Sequence, residues 1–181
     1  MILKILTVPN PILKKKSKNV SKVDKSLERL AHDMAETIEN YQSDIETGVA
    51  MAAVQIGKPV RLVVLREDDG SYVGLINPEV IKLYGEKKED LEGCLSVPSI
   101  YGVVLRHENA DIKGTSMDGK KFKLKTSGIL SRILQHEIDH LNGVLFTDRV
   151  KNIEKIYKLD KEGKLLSQKG EILNEAKFRE Y

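Results

Sequence analysis

Six residues, Gln135-His136-Glu137-Ile138-Asp139-His140, constrain this chain more than any other feature. In a helix a four-residue step turns the backbone through roughly 400°, so His136 and His140 stand one turn apart on one face and can share a metal ion. Ile129 and Ile133 continue that face, and Leu130, Leu134, Ile138 and Leu141 form an adjoining apolar band. Glu137 falls between the two. Its carboxylate is expected to be partly buried, where an ionised group is costly unless it is paired or has a proton to handle. That is the position of a general base. Asp139 points roughly 80° off the histidine stripe, which assigns it to the polar edge of the helix and excludes it as a ligand.

Composition decides whether such a helix can be enclosed. A chain of 181 residues, 40% hydrophobic and 31% charged, reads as one globular domain. Size scaling allows about 70% of its extended surface to be buried. The single cysteine, Cys94, excludes a disulfide framework. A net charge of +3 is too balanced to argue for a nucleic-acid partner such as DNA. The longest apolar run, Val49 to Val54, is too short for a membrane span. The first apolar residues precede the Lys14-Lys15-Lys16 run, the reverse of a signal peptide, so a cytoplasmic location is expected.

Periodicity places the remaining elements. Asp24 can cap a helix that aligns Leu27, Leu30, Met34, Ile38 and Tyr41 on one face. Leu62–Leu65 and Tyr72–Ile76 around Asp68-Asp69-Gly70 predict a hairpin, as do Ala110–Thr115 and Lys120–Leu124 around Met117-Asp118-Gly119. The motif helix is expected over Ser127–Asn142, ending at Gly143. The lysine-rich tail, with Lys155, Lys158, Lys161 and Lys164 as a solvated face, reads as one or two amphipathic helices.

Two imidazoles leave an open catalytic site one ligand short, since such sites usually carry three protein ligands. No histidine follows His140, and the later glutamates, from Glu154 onward, lie in a segment that reads as surface. Cys94, in Glu92-Gly93-Cys94-Leu95-Ser96, is the better candidate. A His-Glu-x-x-His metallopeptidase that uses a tail glutamate and leaves Cys94 in the core remains open at this point.

Three segments, Gly48-Val-Ala-Met-Ala-Ala-Val-Gln-Ile-Gly57, Glu92-Gly-Cys-Leu-Ser-Val-Pro98 and Gln135-His-Glu-Ile-Asp-His-Leu-Asn-Gly143, together resemble the peptide deformylase family in order and separation. The likeness runs from Ile5 to Arg149, about four fifths of the chain. It implies an α+β fold: a compact single domain with small mixed or antiparallel β-sheets around a central metal-binding helix. Residues 1–150 would form the catalytic domain and 151–181 a lysine-rich helical extension of it. It implies that Cys94, His136 and His140 bind one divalent metal, ferrous iron in the cell, although the ligand types also suit zinc, nickel or cobalt. Glu137 would be the general acid and base. Gln55 and the Leu95 backbone N–H would stabilise the oxyanion, and Gly48, Val49, Ala50, Gly93 and Ile133 would line the substrate. Glu92 and Arg106 would form an ion pair bracing the cysteine loop.

The implied reaction is attack of a metal-activated water on the formyl carbon of an N-formylmethionyl chain, releasing formate. Implied partners are N-formylmethionyl peptides and nascent chains, with the ribosome that carries them. Ala50 stands where the family usually has glycine, and Val54 where proline is common. Those departures support a rival reading, a degenerate family member that binds nascent chains without turnover.

Overall fold

The computed structural model describes residues 1–41, 49–67 and 69–173. Its strands are β1 (Ala50–Ala52), β2 (Leu62–Arg66), β3 (Tyr72–Gly93), β4 (Ile100–Ser116), β5 (Lys121–Ser127), β6 (Ile156–Leu159) and β7 (Leu165–Ser167). All pair antiparallel in one sheet ordered β1-β2-β3-β4-β6-β7. One edge of β4 is shared: residues 100–102 pair with β6 and residues 109–115 with β5. The fold is the expected α+β class, with its strands in one antiparallel sheet.

Helix α1 (Lys25–Glu39) begins where the Asp24 carboxylate accepts the backbone N–H groups of Ser26 and Leu27, both at 3.0 Å. Its stripe of Leu27, Met34 and Ile38 packs against Leu62, Val64 and Ile76. Strand side chains alternate between faces, so Val63 and Leu65 point the other way, where Leu134, Ile138 and Leu141 of helix α2 (Gly128–Leu141) meet them. The sheet therefore lies between the two helices.

Helix α2 stops because Gly143 adopts φ 74°, and a Cβ there would stand 2.3 Å from the Lys14 carbonyl oxygen. Arg61 grips the same end, donating from Nη1 to Asn142 Oδ1 at 3.0 Å and from Nη2 to the Pro78 carbonyl at 2.8 Å. A short helix, α3 (Phe146–Arg149), follows and buries Phe146.

Two expectations change. Residues 77–93 and 100–109 are strand, although neither hairpin expectation reached that far. Register shifts between Ile76 and Glu79, Val80 and Lys82, and Tyr84 and Lys87 break the alternation that marks a strand in sequence. The tail forms none of the expected amphipathic helices among the described residues: after one 3-10 turn at Ile153–Lys155, β6 and β7 form a hairpin around residues 160–164, with β6 added to β4. Asp160 Oδ1 accepts the backbone N–H groups of Glu162 and Lys164, each at 2.8 Å, and Gly163 adopts φ 77°. That turn chemistry outweighs the three-residue lysine spacing.

Candidate active site

Strand β3 ends at Gly93 and delivers Cys94 to the flank of α2. The glycine is there for space: a Cβ at position 93 would meet the Tyr101 ring at 2.6 Å. Across from the thiol, the His136 and His140 rings lie 4.9 Å apart at 71°. Cys94 Sγ is 3.1 Å from His140 Nε2, and Cys94, His136 and His140 each offer a ligand atom within 4.8 Å of the others. All three residues are at least nine-tenths buried. A thiolate and two imidazoles form a donor set for a borderline divalent metal, and the convergence of three such side chains from two elements fits one ion.

The surroundings orient these side chains. His136 Nδ1 lies 3.0 Å from Glu92 Oε2, which accepts its N–H and turns Nε2 toward the thiol. Arg106 grips the same carboxylate with two bonds, Nε to Oε1 at 2.6 Å and Nη2 to Oε2 at 2.9 Å. Burial pushes the Glu92 carboxyl up, but the His136 and Arg106 hydrogen bonds overcome it and hold the group well below the usual range. The expected pair of Glu92 and Arg106 is thus interior, with both side chains 4% exposed. Asp139 is not at an open polar edge: it is buried, accepting Arg106 Nη1 at 2.8 Å and the Arg149 guanidinium. Its angle off the histidine stripe aims it at β4 and α3.

Glu137 is buried, and its Oε2 has no hydrogen-bond partner among the described residues. Burial pushes its carboxyl up to about 7, against the pull of His136 and Arg106. An acceptor left open and poised near neutrality suits a group that takes and returns a proton. Gln55 is pinned at both ends: Oε1 accepts the Ala52 N–H at 2.8 Å, and Nε2 reaches Ser96 Oγ at 3.2 Å and Cys94 Sγ at 3.6 Å.

A cleft of about 300 Å³ opens over this group. Val49, Ala50, Gln55, Gly93, Leu95 and Ile133 line it together with Cys94, His136 and Glu137. Gly48 lies outside the described residues. Ala50 sits in β1 without a positive φ, and is buried against the core while facing the cleft, so its methyl brings no backbone strain. Glu154, the first of the glutamates after His140, is exposed and faces Lys169.

Sequence reasoning missed two contributors. Arg132 is buried among Glu92, Val104 and Lys88, and Ser96 holds the Gln55 amide. For Arg132 a signal existed, since it precedes His136 by one helical turn.

The family profile described as polypeptide deformylase matches residues 2–156. The chain belongs to the polypeptide deformylase family. A peptide deformylase of Dictyoglomus thermophilum is 44% identical over 149 residues, 82% of this chain and 93% of that protein. One from Carboxydothermus hydrogenoformans is 40% identical over 152 residues, 84% and 95% of the two chains. The crystal structure of a Legionella pneumophila peptide deformylase is similar with a TM-score of 0.77 at 40% identity, covering 83% of this chain and 87% of that one. One from Synechococcus elongatus, in complex with actinonin, has a TM-score of 0.76 at 35% identity, covering 83% and 79%. The chain is accordingly a metal-dependent hydrolase of protein biosynthesis that removes the N-formyl group from newly made chains. Deformylase activity takes the place of both the peptidase reading and the binding-only reading.

Proposed function

We propose that deformylation is carried out here by Cys94, His136 and His140 as ligands of one metal, Glu137 as general acid and base, and Gln55 with the Leu95 N–H as oxyanion donors. The observation that carries this assignment is the convergence of the thiol and both imidazoles beside the unpartnered Glu137 carboxylate at the floor of one cleft. A divalent metal in this donor set supplies Lewis acidity and lowers the pKa of water toward about 7. Glu137 takes the proton of the attacking water and returns it to the departing amine. The Gln55 amide, fixed by Ala52 and Ser96, donates to the developing oxyanion without first having to rotate. One such donor is worth about 3 kcal/mol of transition-state stabilisation. Val49, Ala50, Gly93 and Ile133 flank the bound peptide, and Gly48 belongs with them by sequence.

Ferrous iron is the proposed metal in the cell, with zinc, nickel and cobalt as competent replacements. The substrates are N-formylmethionyl nascent chains, met at the ribosome. Location in the cytoplasm accords with this substrate. No described helix is long and apolar enough to cross a membrane.

The test is formate release from formyl-Met-Ala-Ser by protein purified without oxygen, paired with X-ray absorption at the metal edge. One sulfur near 2.3 Å is expected, the usual zinc–thiolate distance. A first shell without sulfur, or a Cys94→Ser protein that keeps its metal, would overturn the ligand assignment.

A further inference from the structure

Cys94 follows β3, whereas His136 and His140 ride on α2, and 46 positions separate Cys94 from His140. Something must fix the distance between these two elements, because ligand atoms a few tenths of an ångström out of place bind an ion poorly.

Arg132 spans that gap. It stands one turn before His136 on α2 and is 8% exposed. Nη1 donates to Glu92 Oε1 at 2.7 Å and to the Val104 carbonyl at 3.1 Å, and Nη2 donates to the Lys88 carbonyl at 2.8 Å. Nε lies 3.6 Å from Asp90 Oδ2. Every one of these acceptors belongs to β3 or β4. On Glu92 the consequence is saturation: Oε1 receives Arg106 and Arg132, and Oε2 receives Arg106 and His136. A carboxylate has about four lone-pair directions, and all four are occupied.

We propose that Arg132 is a positioning residue for the metal site: it ties α2 to β3, completes the clamp on Glu92, and so sets the separation of Cys94 from His136 and His140. The inference rests on the reading of those three residues as ligands. Lysine cannot replace the arginine fully, because one ammonium cannot serve Glu92 and two carbonyls with the geometry of a planar fork.

The experiment uses the cobalt-loaded protein and follows loss of the thiolate-to-cobalt absorption band as an excess of chelator removes the ion. Arg132→Met should release cobalt 10- to 100-fold faster than wild type, the range expected when a ligand's outer partner is lost. Arg132→Lys should fall between the two. Arg61→Met serves as the control for general loosening, since Arg61 grips the far end of α2 and touches neither Glu92 nor a ligand. It should lower the melting temperature yet leave release within twofold of wild type. Release within twofold of wild type in Arg132→Met, or equal acceleration in Arg61→Met, would overturn the proposal. If Arg132→Met does not fold, Arg132→Lys decides: at least fivefold faster release supports the proposal, and an unchanged rate overturns it. A Cys94→Ser protein that kept the band would instead overturn the ligand reading beneath it.

Discussion

Helices α1 and α2 are almost equal in length, at 15 and 14 residues, yet they are built to opposite rules. In α1 five residues are buried, led by Leu27, Met34 and Ile38, while the other face is open to water. In α2 ten are buried, and seven of those are polar: Ser131, Arg132, Gln135, His136, Glu137, Asp139 and His140. The first helix is held by apolar area, about 1.5–3 kcal/mol for each large side chain removed from water. The second carries groups whose burial opposes folding unless each finds a partner. Most find one, and the exceptions, Glu137 Oε2 and His140 Nδ1, sit where the chemistry is. One helix stabilises the domain, and the other uses that stability.

The sharpest way to break this contrast is Glu137→Gln. Activity should fall at least 10²-fold, the usual cost of losing a general base, in a formate-release assay. Stability should not fall. In metal-stripped protein the Glu137 carboxyl has a folded pKa of about 7 against an ordinary 4.5. Below about pH 4.5 it is protonated in both states. Between 4.5 and 7 this carboxyl binds its proton more tightly in the folded state, so its contribution to stability declines as pH rises, by about 3 kcal/mol in all. Denaturant titrations of the apo protein across that window should show wild type losing stability relative to Glu137→Gln by that amount, on top of the opposite slope both proteins share from the buried, neutral His140. Met34→Ala tests the other helix. It should cost about 2–5 kcal/mol in chemical denaturation while kcat per folded molecule stays the same. A loss of kcat would mean that α1 is not a purely supporting element.

Ala50→Gly has a smaller effect. The methyl narrows the cleft without straining the backbone, so its removal should raise kcat/KM by a few-fold to about tenfold, mainly through KM, the upper figure being about 1.4 kcal/mol. Indistinguishable kinetics would show that substrate never presses on the methyl. Asp24→Ala, which deletes the cap of α1, should lower stability by about 1 kcal/mol and leave kinetics untouched.

The same contrast explains what could be read in the sequence. Helix α1 announces itself through Leu27, Met34 and Ile38 at helical spacing, and α2 through its apolar band and paired histidines. Cys94 is a ligand candidate by elimination, and the company of the flanking motifs gives it a definite role. Arg132 carried only a weak signal, its place one turn before His136, because an arginine on a helix is ordinarily solvated and its acceptors on β3 and β4 are distant in sequence. The outer reaches of β3 and β4 were hidden by bulges and by the charged run Glu86-Lys87-Lys88-Glu89-Asp90, exposed in the folded sheet except at Lys88 and the buried Asp90. In the tail, lysines spaced three apart imitated a helix. Asp160 and Gly163 had already written the turn.

The separation of Cys94 from His140 also orders events as the chain is made. A growing chain that has emerged only as far as Ser127 holds every residue of β1 to β5 and a single thiol, with neither imidazole. With Cys94, His136 and His140 as the proposed ligands, the set is complete only once α2 has emerged and docked against β4. Loading of that set would then be a check on completeness, because the metal would stabilise a molecule whose sheet and motif helix have already found each other.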